Sequence, residues 1–433
     1  MTVNNTAEKS RAQWFEEARF GMFVHWGLYS NPAGIWQGKK NKHPYAEWLQ
    51  ASEHVNRPDY RRLTADFNPT FFDAEEWIVY AKSAGMRYFV ITAKHHDGFA
   101  LWPSRASSYN VMGETPFKRD ILGELAAACR KLDVKLGFYY SHWQDWEGTG
   151  GDICSTHMEN EEYIHPTAEK FARYWKDKCL VQVGELIDAY DPWLLWFDSW
   201  NKDSIKYVTA ERQDELISLI RGRSSKCLVN SRIQYLEPSD RVDFISMMDN
   251  EFPDKGREKS WETSGTLNHS WAYHRLDFAW KSTEDLLKNL IGNAANGGNY
   301  QLNVGPMGDG RFQQAAIKRL RELGTWLQVN GESVFGTGRS PLGKPTWGRI
   351  TARALPSGRT RLYLHLWEVT PCTALRLEGV SGTPIEAKIL ETGQPVGFTA
   401  SDAGLWLALP MELRGLQLPV ISIDIDQVES TNK

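Results

Sequence analysis

A chain of 433 residues is longer than one compact core ordinarily serves, and it implies one large domain with a smaller companion. Its 41% hydrophobic and 24% charged residues are those of a globular protein, and a net charge of −4 gives no general attraction to nucleic acid or anionic membranes. No stretch approaches the roughly 18 apolar residues of a membrane span, and the N-terminus has no apolar signal core. The five cysteines, Cys129, Cys154, Cys179, Cys227 and Cys372, are scattered without a C-x-x-C pair, which disfavours a disulfide framework or a zinc knuckle. The expectation is a cytoplasmic protein, with a secreted form whose signal has been removed as the alternative. The 19 tryptophans exceed what core packing needs, so some should line a pocket.

From about residue 20 to 335, short apolar runs alternate with longer amphipathic segments. The runs at 21–25, 88–92, 134–140, 193–198, 227–230, 242–247 and 300–304 read as strands, and 72–84, 121–131, 166–189, 211–221 and 283–295 read as helices. Continuously apolar strands separated by helices mark a parallel sheet covered on both faces. Seven of them over this length predict an α/β fold of the (β/α)8-like barrel type. A doubly wound open sheet is the competitor, but no G-x-G-x-x-G or P-loop follows an early strand. After a helix at 311–329 the pattern changes to short, often alternating runs at 349–354, 360–369, 373–377, 386–390, 405–409 and 420–425. These predict an antiparallel β-sandwich of roughly 90 residues. The glycines and prolines of 330–345 put the junction there, giving a catalytic-type domain at 1–338 and a sandwich at 339–433. The polar tail 429–433 reads as disordered.

In such a barrel, function sits just beyond the C-terminal ends of the strands. Those positions carry His25-Trp26, then Lys94-His95-His96-Asp97, then Tyr139-Tyr140-Ser141-His142, then Trp196-Phe197-Asp198, then Asp249-Asn250-Glu251. Asp198 ends an apolar run crowded with indoles, Pro192-Trp193-Leu194-Leu195-Trp196-Phe197-Asp198-Ser199-Trp200. A carboxylate is costly there unless the site uses it, the bland alternative being a helix cap. Indoles around a carboxylate suit a sugar, whose apolar faces stack on rings while its hydroxyls need polar partners. A metal held by His95, His96 and Asp97 is disfavoured, since adjacent residues on an extended strand face opposite ways. Imidazoles that hydrogen-bond hydroxyls are the better reading. Glu47 and Trp48 lie in a loop rich in Gly, Pro and Asn after the first strand, where a pocket role and an ordinary helix surface are equally weighted.

Four segments carry a resemblance: Glu17-Ala18-Arg19-Phe20-Gly21-Met22-Phe23-Val24-His25-Trp26-Gly27, Ala93-Lys94-His95-His96-Asp97-Gly98-Phe99, Leu195-Trp196-Phe197-Asp198, and Gly297-Gly298-Asn299-Tyr300-Gln301-Leu302-Asn303-Val304-Gly305-Pro306. Together they resemble the α-L-fucosidases of glycoside hydrolase family 29, over residues 14 to about 335. The resemblance implies an exo-acting, retaining glycosidase that cleaves terminal α-L-fucose from glycans through a covalent intermediate, with no cofactor and no metal. It maps the nucleophile to Asp198. The acid/base falls in the loop before Trp261-Glu262-Thr263, which offers Asp249, Glu251, Asp254 and Glu258. The Asp-Asn-Glu tripeptide selects Glu251, with Asp254 and Glu262 as rivals. Sugar contacts map to His25, Glu47, Trp48, His95, His96, Tyr140, Trp196 and, more loosely, Trp271.

The chemistry accords with these residue types. A retaining pair needs one ionised carboxylate and one carboxylic acid. The alternatives are an exo-glycosidase for α-L-galactosides and a fucose-binding protein without catalysis. The resemblance also raises a homo-oligomer in which a neighbouring subunit completes the pocket. Trp36 and Trp143 suit that arrangement and core packing equally.

Overall fold

The computed structural model describes residues 5–153, 164–235, 240–380, 382–401 and 404–426; Cys154 and the tail 429–433 lie outside them. Eight parallel strands make the barrel wall: β1 (Phe20–Val24), β2 (Tyr88–Lys94), β3 (Lys135–Tyr140), β4 (Leu194–Phe197), β5 (Leu228–Val229), β6 (Ile245–Ser246), β7 (Trp261–Thr266) and β8 (Asn299–Val304). Their order is β5-β4-β3-β2-β1-β8-β7-β6. A parallel bridge between Asn230 and Phe244 joins the two edge strands and closes the ring. Helices Ala74–Ser83, Ile121–Leu132, Ala210–Arg223, Thr283–Ala295 and Gln314–Asn330 match the amphipathic segments to within a few residues. The long segment predicted at 166–189 is helical throughout, with a π turn at Trp175–Cys179 between Ala168–Tyr174 and Leu180–Tyr190.

Each barrel strand has two buried faces. Met22, Ile91, Phe138 and Phe197 point outward into the layer under the helices. Phe23, Val90, Tyr139 and Trp196, one residue out of step with them, point into the barrel. Gly21 makes room for this filling, because a Cβ there would lie 2.3 Å from the Tyr88 ring. Helix Asn5–Ala18, which the sequence pattern does not announce, plugs the lower end of the barrel. Phe15 lies fully buried with its ring centroid 4.5 Å from that of Phe244, and its carbonyl accepts from Asn299 Nδ2 at 2.7 Å.

Strand β7 is the one the hydrophobic pattern misses. Its sequence, Trp-Glu-Thr-Ser-Gly-Thr, has no apolar run, because its inward positions build a polar seam. Ser264 donates to Gln301 on β8 at 2.8 Å, and Glu262 accepts from Trp196 Nε1 at 2.7 Å and Tyr88 Oη at 3.2 Å. A buried carboxyl is tolerated only with such partners.

Beyond the barrel lie two antiparallel sheets. One runs Gly338–Arg339, Gly348–Ala354, Thr360–Leu366, Val420–Ile425, Pro384–Ile389, and the other Ala374–Leu377, Gly404–Ala408, Phe398–Ser401. They share a core of their own around Leu362, Leu364, Ile389, Leu407 and Ile421. Strand Phe398–Ser401 is exposed at every position and has no alternation to read. Among the described residues, no helix is long and apolar enough to cross a membrane.

The interior packing makes a paired prediction. Gly21→Ala should destabilise the fold by about 1–3 kcal/mol, because the Tyr88 ring cannot leave a filled barrel. Gly222→Ala, at a helical position with nothing within 4 Å of the added Cβ, should be neutral or stabilising by up to about 1 kcal/mol. Denaturant midpoints measure both, and equal shifts would show that the barrel interior yields.

Candidate active site

The C-terminal ends of the strands converge on a pocket of about 440 Å³. Its floor is aromatic: Tyr139 stacks on Trp196 with ring centroids 5.4 Å apart, and Phe23 lies 5.3 Å from Trp196. Trp48 makes one wall, edge-on to Trp200 at 5.5 Å and to His96 at 5.4 Å. His25, Glu47, His95, His96, Asp198, Trp196 and Trp271 all line this one space.

Asp198 hangs at the base on three supports. Tyr139 Oη donates to Oδ2 at 2.8 Å, Arg232 Nη1 donates to Oδ1 at 3.1 Å, and Trp143 Nε1 holds the Asp198 carbonyl at 2.8 Å. Arg232 Nη2 also donates to Asp249 Oδ1 at 2.6 Å and to the Met247 carbonyl at 2.6 Å, while the guanidinium lies over the Trp196 ring at 4.9 Å. One buried cation therefore joins two carboxylates. Burial pushes the Asp198 carboxyl upward and Asp249 adds to this, whereas Arg232 and the Tyr139 hydroxyl pull it back. Burial works against the Arg232 charge, but Asp249 and Asp198 outweigh it and raise the guanidinium further.

The imidazoles are neutral acceptors. Burial lowers His25 to about 4 and holds His95 and His96 well below the usual imidazole range. Ser141 donates its proton to the Gln144 carbonyl at 3.0 Å, so its lone pair receives His96 Nδ1–H at 2.6 Å. Asn303 donates through Nδ2 to the Trp271 carbonyl at 2.6 Å, so its Oδ1 receives His25 Nδ1–H at 2.6 Å. Both rings then turn a bare Nε2 to other partners, and His96 Nε2 lies 3.8 Å from Asp198 Oδ2. An acceptor facing a carboxylate calls for a hydroxyl donor between them. Glu47 accepts from the Ala272 N–H at 3.1 Å, and burial raises its carboxyl to about 7.

Several expected positions differ. Tyr140 is outside the pocket: it faces the helix layer, where its hydroxyl donates to Gln182 at 2.8 Å, and Tyr139 takes the inward place. The cause is the two-residue period of a strand, which a choice between neighbouring tyrosines misses by one. His95 and His96 share the pocket, 4.3 Å between centroids, although neighbours on a strand face apart. Regular pairing with β3 shifts between Thr92 and Lys94, and the chain leaves the strand there. Glu251 lies outside the pocket, exposed, with Oε2 accepting its own turn's Met248 N–H at 3.3 Å; Asp249 is the member of that loop that enters. Asp254 is exposed and paired with Lys344, while Glu262 is sealed beneath Trp196. Glu258 lines a cavity with Glu16, Arg19 and Arg87, away from the pocket residues. Trp143 is core-packed. Arg232 went unnoticed in the sequence, yet it follows strand β5 directly, where barrel logic would have found it. Among the described residues, no cluster of three His, Cys, Asp or Glu is placed to hold a metal.

A closed parallel barrel with a carboxylate at the base of an indole- and imidazole-lined pocket is the architecture of a glycoside hydrolase. The model of the alpha-L-fucosidase family matches residues 1–332. A putative alpha-L-fucosidase of Caenorhabditis elegans is 32% identical over 347 residues, 75% of this chain and 66% of the relative. The plasma alpha-L-fucosidase of Homo sapiens is 31% identical over 346 residues, 75% and 69% respectively. Among solved structures, alpha-L-fucosidase isoenzyme 1 of Paenibacillus thiaminolyticus superposes with a TM-score of 0.85 at 30% identity, covering 98% of this chain and all 100% of its own. A family 29 fucosidase of Bacteroides thetaiotaomicron, trapped as a covalent intermediate with 2-fluoro-fucosyl fluoride, gives a TM-score of 0.82 at 27% identity over 96% and 95% of the two chains. The chain belongs to the α-L-fucosidase family, glycoside hydrolase family 29.

The buried carboxyl beneath the pocket sets a pH dependence. Burial raises Glu262 from 4.5 to about 7, with Trp196 and Tyr88 opposing. The folded chain then keeps a proton between pH 4.5 and 7 that the unfolded chain has released. This contribution to stability is full below pH 4.5 and is lost as pH rises through 7. Glu262→Gln should therefore lose part of the decline in unfolding free energy that the parent shows between pH 5 and 8. An unchanged slope would mean that Glu262 is ionised in the fold.

Proposed function

We propose that the chain is an exo-acting, retaining α-L-fucosidase that releases terminal α-L-fucosyl residues from glycans through a covalent glycosyl-enzyme. The observation that carries this reading is the Arg232 bridge: one guanidinium hydrogen-bonds Asp198 and Asp249 together at the pocket base. Carboxyl groups held by two nitrogens of one guanidinium are near neighbours, as a retaining pair separated by about 5–5.5 Å must be. Asp198 attacks the anomeric carbon as the bond to the leaving oxygen breaks, and a carboxylic acid gives that oxygen its proton. Water then attacks the same carbon, losing its proton to the carboxylate left behind, and Asp198 departs.

In this reading Asp249 is the acid/base. Through the first step the negative charge passes from Asp198, which becomes an ester, to Asp249, which loses its proton. A second assignment, Glu251, rests on its place in the adjoining groove and on the Asp-Asn-Glu resemblance. The bare Nε2 atoms of His25 and His96, with Glu47 and the Nδ1 of His95, which lacks a partner among the described residues, suit the three hydroxyls of fucose. Trp48, Trp196 and Trp271 suit its apolar edge. An α-L-galactoside adds one hydroxyl at C6, which an apolar pocket rejects by only about a hundredfold.

The division after residue 338 belongs to the same proposal, since among the described residues the pocket lining ends with Trp271 and includes none beyond 338. Transplanting or deleting that module should change stability and leave the identity of the catalytic groups untouched.

Kinetics on aryl α-L-fucosides test the reading. Asp198→Ala should abolish turnover. Asp249→Asn should reduce hydrolysis of natural fucosides by about 10²–10⁴-fold, spare the first step on an activated aryl fucoside, and be accelerated by azide with retention of configuration. If Glu251→Gln shows that selective pattern and Asp249→Asn does not, Glu251 is the acid. If the parent releases no fucose from any aryl fucoside, the reading fails.

A further inference from the structure

We propose that Lys281 is a positioning residue for the proton donor: its ammonium clamps the Asn250 side chain to the end of β7 and so aims the Asp249-Asn250-Glu251 turn at the leaving oxygen. This role rests on the fucosidase reading, and it is the same whichever of the turn's two acids gives the proton. Neither Lys281 nor Asn250 lines the pocket.

The turn needs a restraint from outside. Met248, Asp249 and Glu251 are exposed, so packing alone does not hold them, and Asn250 between them has a left-handed backbone with φ of 56°. Asparagine is among the few residues that adopt this conformation readily. Its backbone N–H donates to the Ser264 carbonyl at 2.9 Å, and its Oδ1 accepts from the Thr266 N–H at 3.0 Å and from Lys281 Nζ at 3.0 Å. The same ammonium donates to the Thr266 carbonyl at 2.6 Å and to Thr266 Oγ1 at 3.2 Å. That hydroxyl oxygen accepts because its own proton goes to the Asn268 carbonyl at 2.5 Å. Three N–H donors thus meet three acceptors, two on β7 and one on the turn. Further along, Thr263 Oγ1 donates to the Glu251 carbonyl at 2.7 Å, so the turn lies against the strand.

The cation is itself held in place. The Lys281 N–H donates to the Leu267 carbonyl at 2.9 Å, and Arg319 Nε, from helix Gln314–Asn330, donates to the Lys281 carbonyl at 2.7 Å. Burial lowers the ammonium to about 8 while Asp285 and Asp277 oppose, so it is charged at neutral pH. A charge-assisted hydrogen bond is stronger than a neutral one. Removing this one frees the turn while the pocket floor stays where it is.

Substrates that differ in their need for a proton test the clamp. Lys281→Met should lower kcat/KM for phenyl α-L-fucoside by about 10–100-fold, the cost of a donor misplaced by roughly 1 Å. For 2,4-dinitrophenyl α-L-fucoside, whose phenolate leaves unprotonated, the loss should stay within about threefold. The dependence of log kcat/KM on the acidity of the leaving phenol therefore steepens. Asn250→Gly keeps the left-handed backbone accessible and removes the clamped oxygen. It should reproduce the pattern, and it carries the test if Lys281→Met does not fold. Adding Lys281→Met to whichever of Asp249→Asn and Glu251→Gln disables the acid should cost nothing more. An equal loss on both fucosides, an unchanged rate on the phenyl fucoside, or an additive double variant would each overturn the clamp. A parent inactive on every aryl fucoside overturns the fucosidase reading itself, and the clamp with it.

Discussion

The site is organised around a cation that water no longer reaches. Taking a guanidinium out of water costs several kcal/mol, and Arg232 is 7% exposed at its side chain. Its position is stable only because Asp198, Asp249 and the Met247 carbonyl surround it and the Trp196 face lies against it. Those partners follow β4 and β6 while Arg232 follows β5, so the ion pair fixes how the three strands meet at the top of the barrel. It also fixes the separation of the two carboxylates. In the proposed mechanism both carboxyl groups act beside this one cation.

A second set of constraints acts one layer below. The barrel interior is aromatic on the side of β1 to β4 and polar along β7 and β8, and the two meet where Glu262 accepts from Trp196 and Tyr88. This locks the indole that forms the pocket floor. Outside the histidines, Lys94 is buried against Asp145 at 3.1 Å and donates to the Gln144 carbonyl at 3.2 Å, the same carbonyl that takes the Ser141 proton. Its charge joins burial in keeping His95 and His96 unprotonated. A catalytic site with a charged pair at its base and neutral acceptors around it follows from these contacts.

Much of this was legible in the sequence, for a definite reason. A strand packed against apolar side chains on both faces is itself apolar throughout, so β1 to β4 announce themselves, and the strand-end rule leads to His25, His95, His96 and Asp198. The parts that were not legible are those where local pattern and tertiary role part company. Strand β7 is polar because its inward side chains pair with Gln301, Trp196 and Tyr88 of neighbouring strands inside the barrel. The choice of Tyr140 over Tyr139 turns on a single-residue phase that composition does not carry. The membership of Asp249 rather than Glu251 in the pocket depends on the turn at Asn250, which adopts a left-handed conformation with φ of 56°. Arg232 was readable by position but not by its surroundings, since only the fold brings it to both carboxylates.

Covalent labelling tests the central claim most directly. Incubation with 2-fluoro-fucosyl fluoride, which forms the glycosyl-enzyme and slows its hydrolysis, should add one fluorofucosyl group per chain. Peptide mass mapping should place it on Asp198, and Arg232→Met should suppress the labelling. A label on Asp249, Glu251 or any other residue, or a stable absence of label while fucoside turnover continues, would contradict the account.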